Sequence, residues 1–171
     1  KMMTRIVLFF LSLVLSVSAL GADTAPPLEL DKWRAWVLDK HADIDCPRLD
    51  LQASNRRCAW PGLLRIDVTQ GGVSFSQGWQ IDGDSWLALP GNQQHWPVEV
   101  QVNGASHPVL ERNGLPVVRV LAGTHTINGM LEWRERPQFL QIPLQSALVS
   151  VSIDGQALEW PNIDDTGRLW F

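Results

Sequence analysis

The side chains of this chain with the potential for chemistry are two cysteines, four histidines, scattered carboxylates, Ser85 and nine tryptophans. A serine nucleophile needs a general base, an orienting acid and an oxyanion hole. Ser85 follows Gly83 and Asp84 in a hairpin-like pattern of residues, and neither Gly-x-Ser-x-Gly nor a downstream Asp-x-x-His accompanies it. His41, His95, His107 and His125 are far apart in the chain and form no His-Glu-x-x-His pair. No metal and no cofactor is therefore expected. His41 reads as a helix C-terminal cap, and His125 as a hydrogen-bonded structural histidine at a strand start. Asp82 and Asp84 lack the twelve-residue loop that calcium coordination of the helix-loop-helix kind requires. Glycosidases use two facing carboxylates. Glu111, Glu132, Glu135 and Glu159 sit among turn and strand residues, where a wet sheet face is the simpler reading. No catalytic residue is assigned.

Cys46 and Cys58 have eleven residues between them. That spacing is far from Cys-x-x-Cys, and no histidine pair completes a zinc set. In an exported chain the pair reads as a disulfide, whose short loop contributes about 3 kcal/mol in the chain-entropy picture.

Tryptophan is the unusual resource. An indole face can stack on a sugar ring, but a tryptophan more often buries its area in a core. Trp79 and Trp96 fall on the apolar parity of their strands, and Trp33 on an apolar helix stripe. Trp60 and Trp86 lie near turns, outside clear alternation, and are the candidate glycan-stacking residues.

These side chains must be positioned by a body of modest size. The chain has 171 residues, 45% hydrophobic and 19% charged, with a formal charge of −4. This composition excludes a disordered chain, a coiled coil and a multi-span membrane protein. Without a basic stripe, no nucleic acid partner is expected.

Lys1 and Arg5 precede an apolar run from Ile6 to Leu20, and small residues follow at Ala19, Gly21 and Ala22. This pattern predicts a signal peptide over 1–22, with cleavage after Ala19, Gly21 or, as favoured, Ala22; a retained membrane anchor is the alternative. The chain is expected to be exported, to the periplasm or cell envelope. Lys1 ahead of Met2, and a strand-like end at Gly167 to Phe171, predict a piece of a longer reading frame.

Beyond the Pro26-Pro27 linker, Leu30, Trp33, Val37 and His41 recur at three- and four-residue steps. They predict one amphipathic helix over Leu28–His41. From Cys58 the period becomes two. Leu64, Ile66 and Val68 alternate with polar residues, as do Val73, Phe75, Trp79 and Ile81. Trp96, Val98, Val100 and Val102 form a third such series, and Val149, Val151 and Ile153 a fourth. Leu115 to Leu121 is more uniformly apolar than these, as a central strand would be. Pro137 and Pro143 bracket an edge strand at Phe139 to Ile142.

Gly71-Gly72, Asp82-Gly83, Asn103-Gly104, Asn113-Gly114, Asn128-Gly129 and Asp154-Gly155 read as hairpin turns. The sum is a mainly β protein of about eight to ten short strands. The fold class expected is an antiparallel β-sandwich, jelly-roll-like or immunoglobulin-like, with one N-terminal helix. The domain plan is leader 1–22, then 23–57 with linker, helix and half the disulfide loop, then a sandwich over 58–171.

Several motifs carry a resemblance. They are Trp33-Arg34-Ala35-Trp36-Val37-Leu38, Cys46-Pro47, Cys58-Ala59-Trp60-Pro61-Gly62, Leu89-Pro90-Gly91 and Trp96-Pro97, then Gly123-Thr124-His125, Trp133 and Gly167-Arg168-Leu169-Trp170. In these the chain resembles the N-terminal segment of large cell-envelope proteins of Gram-negative bacteria that have no assigned activity. The resemblance implies a module ahead of downstream domains and supplies no catalytic residue. The middle section, Val98 to Gly104 and Gly123 to Trp133, is also similar in pattern to sugar-binding jelly rolls of bacterial enzymes. The function expected is a non-catalytic scaffold or interaction module, its partner a protein or glycan of the envelope. The alternative is a carbohydrate-binding module using Trp60 and Trp86.

Overall fold

A computed structural model describes Trp33 and residues 46–51 and 55–171. The chain divides into two compact units, 1–40 and 41–171, and every strand described belongs to the second. The leader and, Trp33 apart, the helix predicted over Leu28–His41 lie outside the described residues.

The strands run in order β1 (Ala59–Val68), β2 (Gly72–Ile81), β3 (Ser85–Ala88), β4 (Val98–Val102), β5 (Ala105–Ser106), β6 (Leu110–Arg112) and β7 (Leu115–Val120). Then come β8 (Gly123–Glu132), β9 (Phe139–Gln141), β10 (Val149–Ile153), β11 (Gln156–Leu158), β12 (Asn162–Ile163) and β13 (Arg168–Trp170). The protein is mainly β, as the period-two pattern predicts. The additional strands are two- and three-residue pieces such as β5 and β12, too short for alternation to reveal.

Three sheets result. The large one has seven strands in the order β11-β10-β1-β2-β8-β4-β5; the small ones are β12-β13-β9 and β3-β7-β6. Strand β7 is central in its sheet and β9 lies at an edge of its own, as their compositions predict. The antiparallel expectation needs one correction. Strands β1 and β10 run parallel, with Leu64 opposite Val149 and Val68 opposite Ile153. Hairpin signals report only pairings between chain neighbours. A parallel pairing needs a long crossover and leaves no turn signature.

Two further expectations are corrected. Four of the Gly-containing dipeptides stand between strands and Gly71-Gly72 leads into β2; at three of the four the residue before the glycine has φ near 50°: Asn103 at 52°, Asn113 at 54° and Asp154 at 49°. Both central residues then have positive φ, which matches the twist of the flanking strands. Asn128-Gly129, however, lies inside β8, paired with Ser76 and Phe75 of β2. Strand β4 also departs from strict alternation. Val98 faces Met130 and Gln101 faces Asn128, so two residues on β4 oppose Gly129 alone. This bulge at Glu99 turns Val98 outward, 39% exposed, while Val100 stays in the core.

The large sheet is amphipathic. Leu64, Ile66, Val68, Phe75, Trp79, Ile127, Leu131 and Val151 are buried on one face. They share a single apolar cluster with Leu87, Val118 and Val120 of one small sheet and Leu140 and Leu169 of the other. Gln77 breaks the apolar parity of β2 and is 3% exposed. It stands where the β1–β2 register shifts between Pro61 and Leu64. Its Nε2 donates to the Gly62 carbonyl at 3.0 Å and to Ser146 Oγ at 3.2 Å. The buried amide thus satisfies a carbonyl that the irregular ladder leaves over.

The last hairpin is held by Asp164. Its carboxylate accepts from the Arg168 N–H at 2.9 Å, the Thr166 hydroxyl at 2.7 Å, the Trp170 indole at 3.2 Å and the Thr166 N–H at 3.0 Å. These donors, the Arg168 N–H foremost and the Thr166 hydroxyl next, lower its pKa to about 2, against an opposing effect of desolvation. A folded pKa below the unfolded 3.8 means the contribution is complete above pH 3.8 and is lost as pH falls through about 2. Asp164→Asn is expected to remove that part of the acid-side loss. Melting curves between pH 5 and pH 2 check this; a variant curve parallel to wild type refutes it.

Candidate functional site

The face of the large sheet opposite the core is polar. Strand pairing lines up Ser150, Arg65, Ser76, Asn128 and Gln101 across it, and beside them Ser152, Asp67, Ser74, Met130 and Val98. These positions follow from parity: each flanks a buried residue of β10, β1, β2, β8 or β4. Serines at the centre, with longer side chains around them, leave the face hollow.

Arg65, Asp67, Ser74, Ser76, Glu99, Gln101, Asn128 and Met130 line a trough of about 340 Å³. A second hollow of about 270 Å³ runs on toward the β1–β2 turn and shares Asp67, Ser74 and Met130 with the first. Asp67 accepts a hydrogen bond from the Ser152 hydroxyl. The side chains of Arg65, Ser74, Ser76, Glu99, Gln101 and Asn128 make no hydrogen bond or ion pair with any described residue. Six polar groups with unused donors and acceptors therefore converge on one hollow.

Glu99 arrives there by the bulge. Its φ is 51°, and Asn103, Asn113 and Asp154, the other described non-glycine residues at positive φ, are all hairpin-turn residues. In bulges of this geometry the first residue is ordinarily glycine, because a Cβ is strained there. A glutamate in a strand at this conformation is a strained residue beside a concavity, the kind of outlier that clusters at functional sites.

Cys46 and Cys58 form a disulfide, with Cα atoms 4.7 Å apart. The loop ends are knitted by Leu49 N–H to the Asn55 carbonyl, Arg57 N–H to the Pro47 carbonyl and Arg56 Nη1 to the Cys46 carbonyl, at 2.8–3.0 Å.

Trp60 and Trp86 are not brought together, one lying on β1 and the other on β3 of a different sheet. Trp60 is half-buried, donates from Nε1 to Asp82 at 2.9 Å, and carries the Arg57 guanidinium 5.3 Å from its ring centre. Trp86 is 41% exposed, with the Arg112 guanidinium 5.3 Å over its ring. Each ring thus has one face occupied by a cation. Trp79 is in the core, and Trp160, at 82% exposure, is far more open than either candidate.

Other side chains serve the fold. The Ser85 hydroxyl donates to the Gly83 carbonyl at 2.7 Å, inside its own turn. His125 accepts from Asn103 Nδ2 at Nδ1, 3.1 Å, which leaves Nε2–H to donate to the Leu121 carbonyl at 3.0 Å. Glu111 accepts from the Gly114 N–H at 3.0 Å, and Asp84 pairs with Arg119 at 3.4 Å. His41 lies outside the described residues. Among the described residues, no three His, Cys, Asp or Glu side chains are grouped to hold a metal ion.

The residues of the trough were not singled out by the sequence, although a signal existed. Arg65, Ser74, Ser76 and Gln101 are the polar members of alternating strands. Glu99 belongs to the same alternating series as Gln101, but nothing local announces the bulge that sets its conformation, and Asn128 reads as a turn.

Comparison with known proteins returns no matching family model and no matching curated protein. Among solved structures, the chain is similar to an M1 zinc metallopeptidase from Deinococcus radiodurans, at 10% identity and a TM-score of 0.35. That match covers 57% of this chain and 32% of the peptidase chain. A variant of the same peptidase matches over the same shares at a TM-score of 0.34. The chain thus spans about a third of the peptidase's length, and a likeness of this degree carries no argument about activity.

Proposed function

We propose that the protein is a non-catalytic interaction module of an exported bacterial envelope protein, and that the polar face of its large sheet is the surface it presents. The observation that supports this reading is the set of six trough side chains with no hydrogen-bond partner among the described residues. Polar groups held on a rigid sheet, converging on a hollow and unused by the fold, are what a binding surface needs.

The architecture that suits this role is a sandwich of jelly-roll or immunoglobulin type. The two small sheets would form its second layer, facing the apolar side of the large sheet. The Gly91 N–H donates to the Gln141 carbonyl at 2.8 Å, and the Leu89 N–H to the Pro116 carbonyl at 2.9 Å. These bonds run the end of β3 from one small sheet to the other. The disulfide fits an oxidising compartment, hence export. In this reading, as the resemblance to envelope proteins implies, further domains follow downstream. Carbohydrate binding through Trp60 and Trp86 has less support, because a guanidinium already lies over each ring.

The test is co-sedimentation of the purified chain with washed Gram-negative envelope particles. Arg65→Glu is expected to weaken binding about tenfold or more, while Arg112→Glu, on a different sheet, leaves it unchanged. No sedimentation, or equal effects of the two variants, refutes the reading.

A further inference from the structure

We infer that the trough on the large sheet is a binding site for a neutral glycan chain, gripped by planar polar side chains and anchored by Glu99. This rests on the reading of the polar face as the binding surface and names what that surface takes.

Four observations converge. The first is chemistry. Arg65, Glu99, Gln101 and Asn128 carry planar forks of donors or acceptors, which suit neighbouring hydroxyls on a sugar ring, and Ser74 and Ser76 add short hydroxyls at the floor. Met130, with Phe75 and Gly129 in the lining, supplies the apolar contact a sugar's C–H face needs.

The second is charge. Arg65 stands against Glu99 and Asp67. A phosphate or an acidic polysaccharide would meet more negative than positive charge, whereas a neutral glycan meets no such penalty.

The third is shape. The hollows of about 340 and 270 Å³ share a wall, so they form successive positions along one groove, as a linear oligomer would use. The floor is made by β1, β2 and β8, whose backbones are hydrogen-bonded on both sides. An extended peptide could not add as a strand there, since strand addition needs a free sheet edge.

The fourth is strain. Glu99 occupies a φ of 51° that glycine would adopt freely, and the bulge that imposes it sets this carboxylate at the groove. Glycine at this position should relieve the fold and lose the grip, so stability and binding should move in opposite directions. A residue kept only for packing would not show that split.

The experiment uses the full chain on a printed array of neutral and acidic glycans, followed by an amide NMR titration with the best neutral binder. The expected result is binding to neutral oligosaccharides over acidic ones. Amide shifts should fall at Arg65, Ser74, Gln101 and Asn128, with the Trp60 and Trp86 indoles unmoved. Glu99→Gly should raise the melting temperature and weaken binding about tenfold or more, the loss of one charge-assisted hydrogen bond. Asn128→Ala, in a regular part of β8, should weaken it as well and gives a second test if the first variant folds poorly.

Absence of any neutral binder on the array overturns the inference, as does Glu99→Gly binding as tightly as wild type, or shifts confined to the indoles. If envelope particles still bind in an Arg65-dependent manner while no neutral glycan does, the glycan inference fails and the interaction reading stands. If neither binds, both fail.

Discussion

Gly129→Val is expected to destabilise the protein by about 3 kcal/mol, the upper end of what overpacking a core costs. Valine is the better strand former, so local propensity predicts the opposite sign. The tertiary contact decides. A Cβ at Gly129 would stand 2.6 Å from Phe75 Cζ, 2.9 Å from its Cε1 and 3.0 Å from Val100 Cγ2. Phe75 lies directly across the β2–β8 pair and is 4% exposed, so its ring lies over the glycine with little room to turn. An aromatic covering a cross-strand glycine is a known means of filling the gap that glycine leaves. Urea denaturation of wild type, Gly129→Val and Gly129→Val with Phe75→Leu forms the check. The second substitution should recover part of the loss, because it makes room for the new methyls. A Gly129→Val midpoint equal to wild type would refute the account.

Replacing Cys46 and Cys58 together by serine is expected to cost about 3 kcal/mol. The bonded cysteines are 12 apart in sequence, and the reduced chain regains the freedom of that loop when unfolded. Cys58 immediately precedes β1, whose residues Leu64, Ile66 and Val68 are all at most 1% exposed. The cross-link therefore ties the preceding segment to the start of a strand whose inner face is fully buried. Equilibrium urea curves of the oxidised wild type and the double serine variant should differ in midpoint by the corresponding amount. Wild type in reductant should follow the variant. Coincident curves in all three conditions would show that the loop contributes nothing to global stability.

Both effects sit at positions with different visibility in the chain. The cysteines announce themselves: two in an exported pattern, at a spacing unsuited to redox or metal chemistry, leave pairing as the natural outcome. Gly129 is hidden, because Asn128-Gly129 has the same local chemistry as Asn103-Gly104 and Asn113-Gly114, which are turns. The difference is that β8 is flanked by strands on both sides, β2 pairing along all ten of its residues, from Gly123 to Glu132. Ten ladder positions outweigh one dipeptide's preference.

The candidate site divides in the same way. Strand parity alone sends Arg65, Ser74, Ser76 and Gln101 to the wet face, because the period of two is a property of each strand. It does not bring them together. Adjacency depends on the order β10-β1-β2-β8-β4, in which β1 meets a strand from far along the chain in parallel. Glu99 depends on a register shift between β4 and β8 that no residue of β4 signals.

From residues alone, then, come the mainly β class, most of the hairpins, the buried parity of the long strands and the disulfide. Each is written within a few neighbouring residues, through alternation, turn chemistry or cysteine spacing. The parallel β1–β10 seam, the bulge at Glu99, the covered glycine at 129 and the trough across four strands arise only on folding. They are set by which distant strands pair and in what register, and that choice belongs to the packing of the whole sheet rather than to any segment of it.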